Sequence, residues 1–105
     1  MLIVETRAFT ARVARLFSDD EYRALQLELI RRPEAGPVIP GSGGLRKIRW
    51  SMPGRGKRGG ARVIYFWHVR SSTLLMLFAF AKNERDDLTP QQLEALRRIV
   101  ETDYP

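Results

Sequence analysis

Two runs of residues separated by a three-residue turn constrain this chain most. Residues 61–69 read Ala-Arg-Val-Ile-Tyr-Phe-Trp-His-Val, and Thr73–Ala81 reads Thr-Leu-Leu-Met-Leu-Phe-Ala-Phe-Ala. β-Branched and aromatic side chains at this density favour extended backbone. Arg70-Ser71-Ser72 between them is turn chemistry. The pair predicts an antiparallel hairpin. Because the second run is apolar almost throughout, it predicts a strand in the middle of a sheet.

The remaining segments follow from periodicity and end signals. Leu2-Ile3-Val4 opens a predicted strand over 2–8. Phe9, Val13, Leu16 and Phe17 recur at helical spacing and predict a short helix over 9–17. Ser18-Asp19-Asp20-Glu21 has the pattern of a capping box. It opens a helix to about Arg32 with Tyr22, Leu25, Leu29 and Ile30 on one face. Pro33 and Gly36 stop that helix, and 33–44, with three prolines and four glycines, is a connecting loop. Residues 45–50 predict a strand and 53–60 a basic loop. Thr89-Pro90-Gln91-Gln92 is a second capping box with proline at the first helical position. The helix it opens runs to about Thr102, with Leu93, Leu96 and Val100 as its buried stripe and Glu94 and Arg98 as an i,i+4 pair. The order is strand, helix, helix, strand, strand, strand, helix. At 105 residues this is one domain, 1–105. It predicts an α+β fold: a mostly antiparallel, twisted sheet with the helices packed on one face.

Charge narrows the function. The net charge is +6, and no acidic residue lies between Glu34 and Glu84. Nine of the eighteen Lys and Arg residues fall in that gap, while all twelve acids lie outside it. A one-signed block creates a one-signed field, and nucleic acid is the commonest polyanion to meet it. The absence of cysteine excludes a disulfide scaffold, a zinc ribbon and a thiol nucleophile. A single histidine, His68, excludes a multi-histidine metal site and a two-histidine ribonuclease site. No apolar run approaches the ~20 residues of a membrane helix. The first residues do not read as a signal peptide, so the expected location is cytoplasmic.

Strand alternation sorts the basic residues. Lys47 and Arg49 point one way from their strand, and Ile48 and Trp50 the other. Arg62, Ile64, Phe66 and His68 share one face of theirs, leaving Val63, Tyr65 and Trp67 for the helix-covered core. A hairpin about 56–57 sets Arg49 across from 62–64, and Lys82 ends the next strand. Lys47, Arg49, Arg62 and Lys82 therefore converge, with no carboxylate expected between them, as a phosphate-binding cluster. The glycine-rich basic loop lacks Walker spacing. Its Arg55, Lys57 and Arg58 suit a nucleic-acid backbone. His68 lies about 20 Å along the strand from Arg62 and reads as a strand-end residue. Ser71 and Ser72 are turn residues. Asp86 and Asp87 read as the acidic lead-in to the last helix.

The runs GGLRKIR (43–49), GKRGGARVIY (56–65) and AKNE (81–84) resemble the RelE/ParE superfamily of toxins, most closely its HigB-type branch. The resemblance spans nearly the whole chain. It implies a ribosome-dependent endoribonuclease that cleaves messenger RNA, with ribosome and message as partners. It also implies neutralisation by a cognate protein antitoxin, of helix-turn-helix type. Such chemistry uses the RNA's own 2′-hydroxyl and calls for no metal and no cofactor. Crowding among like charges favours a neutral lysine, which suits Lys47 as base. Arg49 and Arg62 would stabilise the developing charge, and Lys82 would serve as acid or phosphate ligand. Arg46, Arg55, Lys57, Arg58 and Arg85 are the expected RNA contacts. Asn83 stands where the best-known RelE enzymes carry an arginine, and Leu88-Thr89 where they carry a tyrosine. Arg85 and Tyr104 are the nearest replacements. Two alternatives remain open on sequence: a ParE-like gyrase inhibitor on the same fold, and a non-catalytic module that binds RNA or ribosomes.

Overall fold

A computed structural model of the chain describes residues 1–51, 60–82, 84 and 87–105. The elements are β1 (Leu2–Glu5), α1 (Arg7–Leu16), α2 (Asp19–Arg31), β2 (Arg46–Trp50), β3 (Ala61–His68), β4 (Thr73–Ala81) and α3 (Pro90–Asp103). They follow the predicted order. β1 is shorter than its aliphatic start suggests because Thr6 ends it. Its hydroxyl caps α1 by accepting from the Phe9 N–H, and donates to the Leu77 carbonyl at 2.8 Å. Both predicted capping boxes form, Ser18 with Glu21 and Thr89 with Gln92.

The four strands lie in the order β1-β4-β3-β2. β2, β3 and β4 form the antiparallel meander, and β1 adds parallel to β4. β4 is thus central, as its apolar run requires. Between the Ile64–Phe78 and Tyr65–Met76 pairs the register slips by one, leaving Leu77 as an extra residue on β4. Such a bulge increases local twist.

One expectation is corrected. The helices do not all pack on one face. α1 and α2 bury Phe9, Val13, Phe17, Leu25 and Leu29 against Ile48, Val63, Tyr65, Leu74 and Met76. α3 buries Leu96 and Val100 against Leu45, Ile64, Leu75, Leu77 and Phe80 on the opposite face. The reason lies in the strands. Residues 61–65 and 73–77 are buried without interruption, so both faces of the sheet carry apolar side chains and each needs a cover.

The segment after α2 is ordered against β2. The Lys47 N–H donates to the Pro37 carbonyl at 3.1 Å, and Val38 bridges to Arg46. Gly36 sits where a Cβ would stand 3.0 Å from the Tyr65 ring and 3.1 Å from the Ile48 nitrogen. Gly36→Ala therefore has to shift this segment from β2 by a few tenths of an ångström, at about 1–3 kcal/mol. A lowered urea midpoint with an unchanged slope is the expected result.

Candidate functional site

The β2–β3 register places Arg49 directly opposite Arg62, and Lys47 opposite Ile64. Alternation puts all three cationic residues on the face that α3 covers in part. Directly opposed residues in such a pair hold their Cβ atoms about 4.5–5.5 Å apart, and like charges there destabilise the sheet. Arg49 is exposed and Lys47 half-buried, while Arg62 is only 8% exposed. A guanidinium stripped of most of its water exerts a stronger field than one at the open surface. Lys82 follows β4 directly, and its N–H reaches the Gly60 carbonyl at 3.3 Å, beside the Ala61–Ala81 pair that ends the ladder. It stands at the Arg62 end of the sheet.

The cluster contains a carboxylate, contrary to expectation. Asp87 accepts a hydrogen bond from Lys47 Nζ at 3.0 Å. The physical cause is the placement of α3. Because that helix packs on the basic face, the chain leading into it returns over β2, forty residues after Lys47. The lead-in reading of Asp87 holds, but the residue has this second contact. Partial burial works to raise its carboxyl. The hydrogen bonds from Lys47 and from the Leu88 N–H, with the charges of Lys47 and Arg62, outweigh that and hold it below the ordinary aspartate value of 3.8. An NMR titration of the Asp87 carboxyl should show a depressed midpoint, moving up in Lys47→Met. A depressed carboxylate adds stability at neutral pH that disappears as pH falls through its midpoint. The Asp87 carboxylate is exposed, so that contribution is small.

The remaining predicted residues separate. Arg46 lies opposite Tyr65 and so on the other face. Its guanidinium donates to the Gly36 carbonyl at 2.8 Å and the Glu34 carbonyl at 3.3 Å, and pairs with the Glu34 carboxylate at 3.4 Å. It ties the 34–36 segment to β2 and does not join Lys47, Arg49 and Arg62. Arg55, Lys57, Arg58 and Arg85 lie outside the described residues. His68 ends β3, its Nδ1 is 2.6 Å from the Ser71 hydroxyl, and the Tyr104 ring rests 5.1 Å from its own. Tyr104 therefore stands at the far end of β3 from Arg62 and does not replace the missing tyrosine.

Asp87 is the functional neighbour that sequence reasoning missed. The Thr89 capping box and the Leu93, Leu96, Val100 stripe announce a helix that must bury one side. They carry no information about which sheet face receives it.

Two comparisons with known proteins bear on this geometry. The family model described as the RelE toxin of the RelE / RelB toxin–antitoxin system matches residues 7–103. Among solved structures, a chain of the intact E. coli RelBE toxin–antitoxin complex superposes with a TM-score of 0.56 at 13% identity, covering 76% of this chain and 94% of that one. A doubly substituted E. coli RelE in the free state gives 0.59 at 14% identity, covering 93% and 96%. The isolated E. coli RelE toxin gives 0.56 at 14%, covering 93% and 97%. At such identities the structural likeness speaks for the fold alone.

Proposed function

The chain belongs to the RelE toxin family of the RelE / RelB toxin–antitoxin system, and from that premise we propose that it is an endoribonuclease cutting messenger RNA on the translating ribosome. The observation that carries the reading is the Arg49–Arg62 opposition with Lys47 two residues along the same strand face. A sheet gains nothing from two guanidiniums set against each other. A bound phosphate is an anion that both guanidiniums can share.

The proposed reaction needs only the RNA and this cluster. The 2′-hydroxyl loses its proton and its oxygen bonds to the adjacent phosphorus. The resulting phosphorane carries extra negative charge, which Arg49 and Arg62 stabilise. The bond to the 5′-oxygen then breaks, and that oxygen takes up a proton. The products are a 2′,3′-cyclic phosphate and a 5′-hydroxyl. Lys47 is the base: the incoming strand displaces Asp87 from its Nζ, the ammonium gives one proton to solvent, and the neutral amine takes the 2′-hydroxyl proton. Lys82 supplies the leaving-group proton or holds the phosphate.

We place the chain in the HigB-type branch on its long basic segment 51–60, whose Arg55, Lys57 and Arg58, with Arg85, are proposed RNA contacts. Arg46 supports them by fixing the loop behind β2. The proposed setting is the cytoplasm. No helix among the described residues is long and apolar enough to cross a membrane. The family's pairing supports a cognate antitoxin as partner, proposed here to cover the cationic face.

Induced expression in a bacterial host, followed by primer extension on abundant transcripts, tests the proposal. New cuts confined to translated regions, lost when the start codon is destroyed, are expected. Growth arrest without cuts would overturn the nuclease reading in favour of a ParE-like inhibitor.

A further inference from the structure

Three strands contribute one row of residues to the basic face: Phe78, Ile64 and Lys47, paired across β4, β3 and β2. Each end of this row is gripped by an ion pair to the segment between β4 and α3. At the Lys47 end the grip is Asp87. At the Phe78 end it is Arg12 of α1. Its guanidinium carbon lies 5.0 Å from the centre of the Phe78 ring, its Nε donates to the Ala79 carbonyl, and its second nitrogen binds the Glu84 carboxylate. Glu84 in turn closes the turn out of β4: its N–H donates to the Ala81 carbonyl at 3.0 Å, and its carboxylate accepts from the Ala81 N–H at 3.4 Å. Lys82 lies inside that turn.

We propose that Arg12 is a positioning residue for the phosphate chemistry of this face. Acting through Glu84, it fixes the segment that brings Lys82 to the Arg62 end of the sheet and Asp87 to Lys47. The proposal rests on the nuclease reading and adds to it a residue outside the cationic cluster, carried on the first helix.

Two considerations separate this role from ordinary structural glue. The Arg12 and Glu84 side chains are 21% and 35% exposed, so water still screens the pair and it is a minor part of global stability beside the buried core. α1 is already anchored by fully buried Phe9 and by Val13. The pair's effect is therefore local, on the turn out of β4 that Glu84 closes. Arginine suits it because one planar fork serves a carbonyl, a carboxylate and an aromatic face together, which a lysine ammonium does not.

The test uses purified full-length toxin with programmed ribosomes, in Arg12→Gln, Glu84→Gln and the charge-exchanged Arg12→Glu/Glu84→Arg. Displacement of catalytic groups by around 1 Å costs up to about a hundredfold in rate, so a fall of tenfold or more at saturating toxin is expected for each single variant. The half-saturating concentration and the thermal midpoint should hold, and the exchanged pair should recover part of the rate. Arg15→Gln, which alters the same surface hollow, should cleave as wild type. The Asp87 carboxyl supplies a second reading: its midpoint should rise in Arg12→Gln as the segment loosens its hold on Lys47. An unchanged rate, or a loss matched by a lower thermal midpoint, overturns the proposal. If wild-type toxin leaves message intact, the nuclease reading falls, and the Asp87 titration alone decides whether Arg12 positions the segment.

Discussion

Lys47→Met and Arg62→Ala should each cut the rate of messenger-RNA cleavage by about a hundredfold or more, the usual cost of losing a general base in the first case and a group that stabilises developing charge in the second. Ribosome association should change only a few-fold, because the basic surface is spread over many residues. The two substitutions differ in what else they disturb. Lys47 is half-buried and pairs with an exposed carboxylate, so methionine keeps its stem and removes only the charge. Arg62 is 8% exposed, and its removal leaves a void beside Phe80 as well as lost charge. Thermal midpoints therefore have to accompany the rates. Loss of toxicity in proportion to loss of ribosome binding would instead mark a non-catalytic binder.

The largest stability effect is expected at Tyr65. It is fully buried, and its hydroxyl donates to the Pro33 carbonyl at 2.7 Å while accepting the Gly36 N–H at 2.9 Å. Burial raises its hydroxyl above the ordinary tyrosine value, with the Gly36 N–H opposing, so it stays protonated and able to donate. Tyr65→Phe strands two backbone groups and should cost about 1–3 kcal/mol. Tyr65→Ala adds a cavity and should cost about 3–5 kcal/mol. Urea denaturation separates the two terms. Cleavage should fall as well, because the segment Tyr65 holds supplies the Pro37 carbonyl that receives the Lys47 N–H. A phenylalanine variant as stable as wild type would mean the segment is held by something else.

What the sequence made legible was local. Turn chemistry and β-branched runs set the three-strand meander. Alternation plus a hairpin about 56–57 set Arg49 across from 62–64, and the register pairs it with Arg62. Both capping boxes stand where Ser18 and Thr89 announce them. What stayed hidden depends on how elements dock. An amphipathic stripe shows that a helix buries one side but gives no destination, and α3 packs on the face opposite α1 and α2. Asp87 beside Lys47 follows from that docking and has no local signature. Neither does Arg12, a charged residue on a helix whose apolar neighbours explain it without any role. Arg46 sits in the basic run, yet period-two alternation turns it from Lys47 toward Glu34.

The central claim is a reaction on phosphate, and its product settles it. Stalled ribosomes carrying 5′-labelled message, incubated with purified toxin, should release a fragment ending in a 2′,3′-cyclic phosphate, absent with Arg62→Ala. A fragment ending in a free 3′-hydroxyl, or message left whole by a folded and ribosome-bound toxin, would contradict the account.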